Sequence, residues 1–382
     1  MNDVMITGVG MTPVGEHWET SLRALAVGAA QAAMQDAGVQ TVDAVIVGNA
    51  LGGSISKQHQ LGALLADHIG LRGVEAFRVE AADASGGVAL RQGYLLIASG
   101  LAQSVMVLGV EKVTDMVGGE RGATMQTFTD SEYETVQGAT PVALAALLMR
   151  RYMHEYGVSL ADFAGFSVNA HANGSKNANA MYRNLVKAER FASAPVVAEP
   201  VNLFDMAPEA DGAAALILMS SERAGRHPNA VRIIASAVGT DAVAIHDRTD
   251  PLYLMAANLS AGRAFEQARL LPANVNVLEL HDSTTILSTL ALEASGFAER
   301  GHGWELAAHG KLGLSGQFPI STFGGLKARG NPFGATGVYQ AVEIALQLRG
   351  QAGANQVPDP RIGMAQSIGG LGATVVTHLF SR

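Results

Sequence analysis

No cysteine occurs anywhere in the 382 residues. That absence excludes a thiolate nucleophile, a disulfide framework and any cysteine-ligated zinc. The 11 histidines form no His-Glu-x-x-His or comparable ligand spacing, so no metal is expected. No uninterrupted apolar run reaches the roughly 18 residues of a spanning helix, and the start Met-Asn-Asp-Val-Met lacks a basic stretch leading into an apolar one. The expectation is a cytoplasmic protein with no membrane span. Charge is scarce too. Charged residues make up 16% against 48% hydrophobic, which leaves little charge to cover a lone monomer and favours an oligomer. The net charge of −8 carries no basic tract, so a phosphate-tracking nucleic-acid surface has no support.

What the chain does contain is an internal echo. Its length suits two core-forming units or one large pseudo-duplicated domain. Residues 4–10 form an apolar strand ending in glycines, and residues 231–239 repeat that design. An alanine-rich helix over about 21–37 leads to a strand at 44–48, and a helix over about 254–270 leads to a strand at 277–280. Each half then offers a glycine-punctuated turn opening an amphipathic helix, from Asp83 to about Ser99 and from Gly334 to about Arg349. Apolar strands close both halves, at 104–109 with 213–219 and at 362–365 with 373–379. Strands alternating with helices imply mixed sheets covered by helices. The halves divide at 1–225 and 226–382. Between about 113 and 201 the pattern breaks into polar turns with a helix near 141–156, which reads as an insertion covering one face.

Three turns stand out for chemistry: Asp83-Ala84-Ser85-Gly86-Gly87, His281-Asp282-Ser283 and Gly330-Asn331-Pro332-Phe333-Gly334. Asp83 at a strand-to-helix turn suits an N-cap, worth about 1 kcal/mol. A helix N-terminus also stabilises a carboxylate, so Asp83 is expected to be a weaker base than an average Asp. His281 is expected to donate or to titrate near neutrality. The stretch holding His171, Asn173 and Asn177 reads by default as a solvated loop.

The run Gly324-Gly325-Leu326-Lys327-Ala328, followed by Gly330-Asn331-Pro332 and Gly334-Ala335-Thr336-Gly337, resembles the thiolase superfamily. More narrowly the likeness is to archaeal-type and sterol-carrier-protein-type thiolases, including lipid-transfer-protein-like members. Gly8-Val9-Gly10, Gly109-Val110-Glu111-Lys112, Asp211-Gly212-Ala213, His281-Asp282 and Gly369-Gly370-Leu371-Gly372 support it in family order. The resemblance implies an α/β fold of two similar βαβαβαββ halves packed as five layers, αβαβα. It implies a nucleophilic Cys where Asp83 stands, and an activating His in a Gly-His-Pro turn where Asn331 stands. Family cysteines are likewise replaced by Ser283 and Ser367. Gly325, Gly330 and Gly370 would allow close backbone approach to a thioester, and Lys176 or Arg183 in the insertion would reach a CoA phosphate.

Acylating a carboxylate from a thioester gives a mixed anhydride, uphill from the thioester, so covalent ping-pong transfer is not expected. Asn331 cannot take a proton as imidazole does, though its amide can donate to a thioester oxygen. Ser283 and Ser367 have no adjacent base. Three functions remain open by resemblance. One is an acyl-CoA-handling enzyme that makes or breaks C–C bonds without an acyl-enzyme. Another is a retro-aldolase on β-hydroxyacyl-CoA, with Asp83 or His281 as base. The third is an inactive CoA-binding or scaffold subunit. No tightly bound cofactor is implied. The implied partners are acyl-CoA, a second copy in a homodimer or homotetramer, and a small OB-fold protein.

Overall fold

The computed structural model describes residues 2–382. Strands β1 (Val4–Met11), β2 (Ala44–Gly48), β3 (Glu75–Val79) and β4 (Ser104–Glu111) alternate with helices α1 (Leu22–Ala37), α2 (Leu61–Ile69) and α3 (Ser85–Ala98). Helices α4 (Gly119–Met125), α5 (Pro141–Tyr156), α6 (Ala164–Gly174) and α7 (Ala188–Ala192) then lead to a small ladder of β5 (Val196–Ala198) and β6 (Val201–Asn202). Next come β7 (Gly212–Ser220), α8 (Ser221–Ala224), β8 (Val231–Thr240), α9 (Met255–Ala268) and β9 (Val277–Glu279). Helices α10 (Thr285–Ala294), α11 (Gly303–Ala308) and α12 (Thr336–Arg349) precede the closing strands β10 (Ile362–Gly369) and β11 (Thr374–Ser381). Among the described residues no helix is long and apolar enough to cross a membrane.

The sheet order is β3-β2-β4-β7-β1-β8-β11-β10-β9. It mirrors itself about the β1–β8 pair, which joins antiparallel through Val4, Met5 and Ile6 against Ile233, Arg232 and Val231. Strands β2, β3 and β4 run parallel, while β7 is antiparallel to both β4 and β1. In the second half β9 and β10 are parallel and β11 is antiparallel to β10 and β8. The third strand of that half is reduced to one parallel bridge, Leu278 to Ile320.

Strand alternation sorts the side chains into layers. On β7, Ala213, Ala215 and Ile217 pack with α1 and α2, whereas Ala214, Leu216 and Leu218 face α3 and α12. Met364, Ile368, Val375 and Leu379 of β10 and β11 pack with α9 and α10 on the far side. The resulting order, helix, sheet, helix pair, sheet, helix, is the five-layered thiolase-like architecture.

The central pair α3 and α12 meets through glycine. A Cβ on Gly86 would lie 2.8 Å from the Gly334 carbonyl oxygen, and one on Gly337 would lie 2.2 Å from the Gly87 nitrogen. Both contacts are with backbone, which cannot swing aside. Gly337→Ala is therefore expected to destabilise by about 1–3 kcal/mol in denaturant unfolding, because overpacking forces the helices apart. Gly262→Ala on α9, where the added carbon meets nothing within 4 Å, is expected to stabilise by about 0.5–1 kcal/mol.

Candidate active site

The turn from β3 into α3 carries Asp83. Ala82, just before it, holds φ +49, an unusual value for a residue with a side chain. Ser85 closes the turn, accepting from the Ala81 N–H at 2.9 Å and donating to the Ala82 carbonyl. The N-cap of α3 is Ala84, which makes no side-chain capping bond. The capping role expected for Asp83 is thus not what the turn uses.

The Asp83 carboxylate is instead buried against Asn331, whose Nδ2 donates to Oδ1 over a long 3.4 Å. The Asn331 amide cannot flip without loss. Its Oδ1 accepts from the Phe333 N–H and from the Thr336 hydroxyl, each at 3.0 Å, which leaves the NH2 end facing Asp83. Burial pushes the Asp83 pKa from 3.8 to about 7, although the Asn331 amide and the backbone N–H groups of Asp83 and Gly370 pull it down. The expectation of a weak base is overturned. Dehydration outweighs the helix terminus, so Asp83 changes protonation near neutral pH rather than well below it.

A second carboxylate lies beneath. Glu111, at the end of β4, is buried and accepts four bonds: Asn49 Nδ2 at 2.7 Å, Ala50 N–H at 2.8 Å, Leu51 N–H at 3.1 Å and Gly334 N–H at 3.2 Å. Burial raises its pKa to about 7 against those N–H groups. Because Gly334 lies three residues past Asn331, Glu111 ties the Asn331 turn to the loop after β2. Its sequence context, Gly109-Val110-Glu111, was legible, but not its role.

His281 follows β9 and is fully buried, with neither ring nitrogen bonded to another group among the described residues. Burial, helped by the charge of Arg329, lowers its pKa to about 3. Titration near neutrality is overturned; the ring stays a neutral imidazole. Asp282 beside it accepts from the Leu326 N–H at 2.6 Å and the Ser321 hydroxyl at 3.2 Å. The Cβ that Gly325 lacks would lie 2.3 Å from that carboxylate, so this glycine serves packing.

Ser283 is half-buried, and its carbonyl accepts from the Ala207 N–H at 2.9 Å. Ser367 lies on β10, its hydroxyl donating to Gln340 Oε1 at 2.8 Å between α3 and α12. Gly330, at φ +109, packs against Val14 and Ala210, and Gly370, at φ +56, lets the Phe128 carbonyl approach.

Residues 206–209 form a wall shared with a cavity of about 660 Å³. On one side their backbone binds the site, with the Asn331 N–H donating to the Pro208 carbonyl at 2.9 Å. On the other they line the cavity with Tyr182, Leu185, Phe204 and His171. Its cations are Arg121, Arg190 and Lys327. Lys176 and Arg183 are exposed and line no part of it. The solvated loop expected around His171 is also corrected. His171, Asn173 and Asn177 are buried, the first two on α6, and the asparagine amides donate to the Ser321 and Phe323 carbonyls at 3.1 and 2.9 Å.

Comparison with known proteins agrees with this architecture. The thiolase N-terminal domain family matches residues 4–222, and the thiolase C-terminal domain-like family matches residues 237–382. The acetyl-CoA acetyltransferase of Methanothermobacter thermautotrophicus is 42% identical over 100% of both chains. Sterol carrier protein 2 of Bos taurus is 30% identical over 98% of this chain and 72% of its own. The benzoylsuccinyl-CoA thiolase subunit BbsB of Thauera aromatica is 30% identical over 96% and 94%. Among solved structures, an Ltp2-ChsH2(DUF35) aldolase superposes with a TM-score of 0.87 at 24% identity, covering 100% of this chain and 98% of that one. With both halves matched and the duplicated sheet in place, the chain belongs to the thiolase family.

Proposed function

We propose that this thiolase-family protein cleaves or forms a C–C bond in an acyl-CoA ester without a covalent acyl-enzyme, in the manner of a retro-aldolase on β-hydroxyacyl-CoA. The observation that carries this reading is Asp83, a buried carboxyl with its pKa raised to about 7 where the family resemblance implies a nucleophilic cysteine. In the cleavage direction the Asp83 carboxylate takes the proton of the β-hydroxyl. The Cα–Cβ bond breaks, an aldehyde or ketone leaves, and the electron pair passes through Cα into the thioester as an enolate. The proton on Asp83 returns to Cα, so the step balances with no further reactant. A pKa near neutrality suits both halves, because the group must accept and then return one proton. The neutral imidazole of His281 and the Asn331 amide are the candidate donors to the enolate oxygen.

The assay is incubation with 3-hydroxyacyl-CoA esters, following aldehyde release, beside acetoacetyl-CoA with free CoA, following thiolysis. Aldehyde release without thiolysis is expected. A stable acyl adduct by intact mass, or thiolysis without aldehyde, overturns the reading. A second reading rests on the absence of cysteine and on a relative named as a subunit, BbsB: an inactive CoA-binding subunit of a larger assembly. Tight CoA binding with silence in both assays favours it.

A further inference from the structure

Lys327 sits in a five-residue π-helical turn, Gly325–Arg329, bounded by Gly324 at φ +108 and Gly330 at φ +109. Such wide turns are rare and recur at functional sites. This one sends two long cationic side chains to different places. Arg329 joins Glu343 in the interior, and Lys327 lines the 660 Å³ cavity. Lys327 is 2% exposed, so its ammonium has left bulk water. An ammonium carries three donors. Among the described residues the protein accepts from one of them, through the Asp205 carbonyl.

The carboxylates of Asp282 and Asp205 lie close enough to support its charge. Yet among the described residues no carboxylate oxygen comes within 4.0 Å of it. Asp282 is engaged by the Leu326 N–H and the Ser321 hydroxyl, and Asp205 by the Asn202 N–H and the Thr285 hydroxyl. Dehydrated donors left without acceptors are costly, so the two spare N–H groups require an acceptor when the cavity fills. Asp282 and Asp205 already support the charge, and because burial raises the pKa of both, a further anion beside them would push them higher still. A neutral oxygen therefore fits better than a third anion.

We propose that Lys327 anchors the ligand by donating to a neutral carbonyl oxygen of a CoA thioester held in this cavity. The proposal rests on the acyl-CoA reading above and extends it to a residue that reading does not use. That oxygen is an amide carbonyl of the pantetheine arm, since the acyl carbonyl is the oxygen that the proposed reaction gives to His281 and Asn331.

The test is titration calorimetry with free CoA and with 3-hydroxybutyryl-CoA on the wild type, Lys327→Met and Lys327→Arg. Lys327→Met keeps the length and removes the donors, and it is expected to weaken binding about tenfold or more, the worth of a hydrogen bond from a charged group. A loss for both ligands, which share the pantetheine arm, is the expected result; a loss for the thioester alone would put Lys327 on the acyl carbonyl and overturn the assignment. Lys327→Arg, keeping the cation, is expected to bind more tightly than Lys327→Met.

A pH series separates anchoring from mere packing. Burial lowers the Lys327 pKa to about 8, so wild-type affinity is expected to fall as pH rises through that value and to stay flat in Lys327→Met. The groups facing it are Asp205, Asp282 and His171, with Glu16, Arg121, Arg190 and Glu209 on the same cavity wall. Burial raises the pKa of Asp205 and Asp282, and burial followed by the charge of Lys327 lowers that of His171; Lys327→Met keeps all of these groups, so the difference between its profile and the wild-type one belongs to Lys327.

Equal affinities of Lys327→Met and wild type for both ligands, or a flat wild-type profile from pH 7 to 9, overturn the proposal. Should Lys327→Met not fold, the wild-type series and Lys327→Arg still decide. Failure of the catalytic reading looks different: ligand binds, Lys327→Met weakens it, and no aldehyde appears.

Discussion

Asp83→Asn lowers kcat/KM for aldehyde release from a 3-hydroxyacyl-CoA by about 10²- to 10⁴-fold, the range a positioned general base contributes. The exchange keeps volume, polarity and a partner for the Asn331 amide, so calorimetric affinity for the same ester is expected to hold within about twofold. The wild-type profile carries the sign. Asp83 works as a base only when ionised, so kcat/KM rises with pH and levels above about 7. The stability of the same variant should move the other way. Burial raises the folded-state pKa above the unfolded value, so the stability Asp83 contributes at low pH is lost as pH climbs from about 4 through about 7. Asparagine cannot ionise. Asp83→Asn is therefore expected to be more stable than wild type at pH 8 and nearly equal at pH 4. An active variant, or one less stable at pH 8, removes Asp83 from the chemistry.

Much of this architecture is written in local pattern. Helix α1 begins after Ser21, whose side chain accepts from the Ala24 N–H, and ends at Gly38 with φ +66, so both boundaries lie in residue types that cap helices. The buried runs of β2 and β7 are continuous and apolar, and the glycine turns announce the close pairing of α3 with α12. Strand β3 lies at the sheet edge and reads Glu-Ala-Phe-Arg-Val; half-exposed and charged, it offers no apolar run to find. Helix α6 hides for the opposite reason. Its asparagines and histidine look solvated until the carbonyls of residues 320–323 come against them, a contact between segments about 150 residues apart.

The site divides along the same line. Asp83, His281 and Asn331 were visible as residue types in glycine-framed turns. Their protonation was not, because a pKa near 7 for Asp83 and near 3 for His281 comes from dehydration, which only the assembled core supplies. Lys327 was visible only as one letter of a family-like run; its place in the cavity wall depends on the π turn.

Arg329→Met is expected to cost about 3–5 kcal/mol at pH 8, because it strands buried carboxylates that its guanidinium now serves. Arg329 and Glu343 are 1% and 0% exposed and meet at 2.7 Å, and the guanidinium stacks 5.0 Å from the Tyr339 ring centre. Glu279 lies near the same cation, accepting from the Thr322 N–H at 2.8 Å and its hydroxyl at 2.6 Å. Burial and the charge of Glu343 push the Glu279 pKa well up, and burial raises Glu343 too, with Arg329 pulling both back toward the ionised form. Without Arg329 nothing opposes the upward push of burial on Glu343, so the fold then holds more proton at pH 8 than the unfolded chain does. The loss in denaturant unfolding is therefore expected to shrink between pH 8 and pH 5, where both states hold more protons. The double variant Arg329→Met/Glu343→Leu, which removes both charges, should regain most of the stability. Equal losses at both pH values, or a double variant weaker than the single, would mean that stacking on Tyr339 rather than charge makes Arg329 matter.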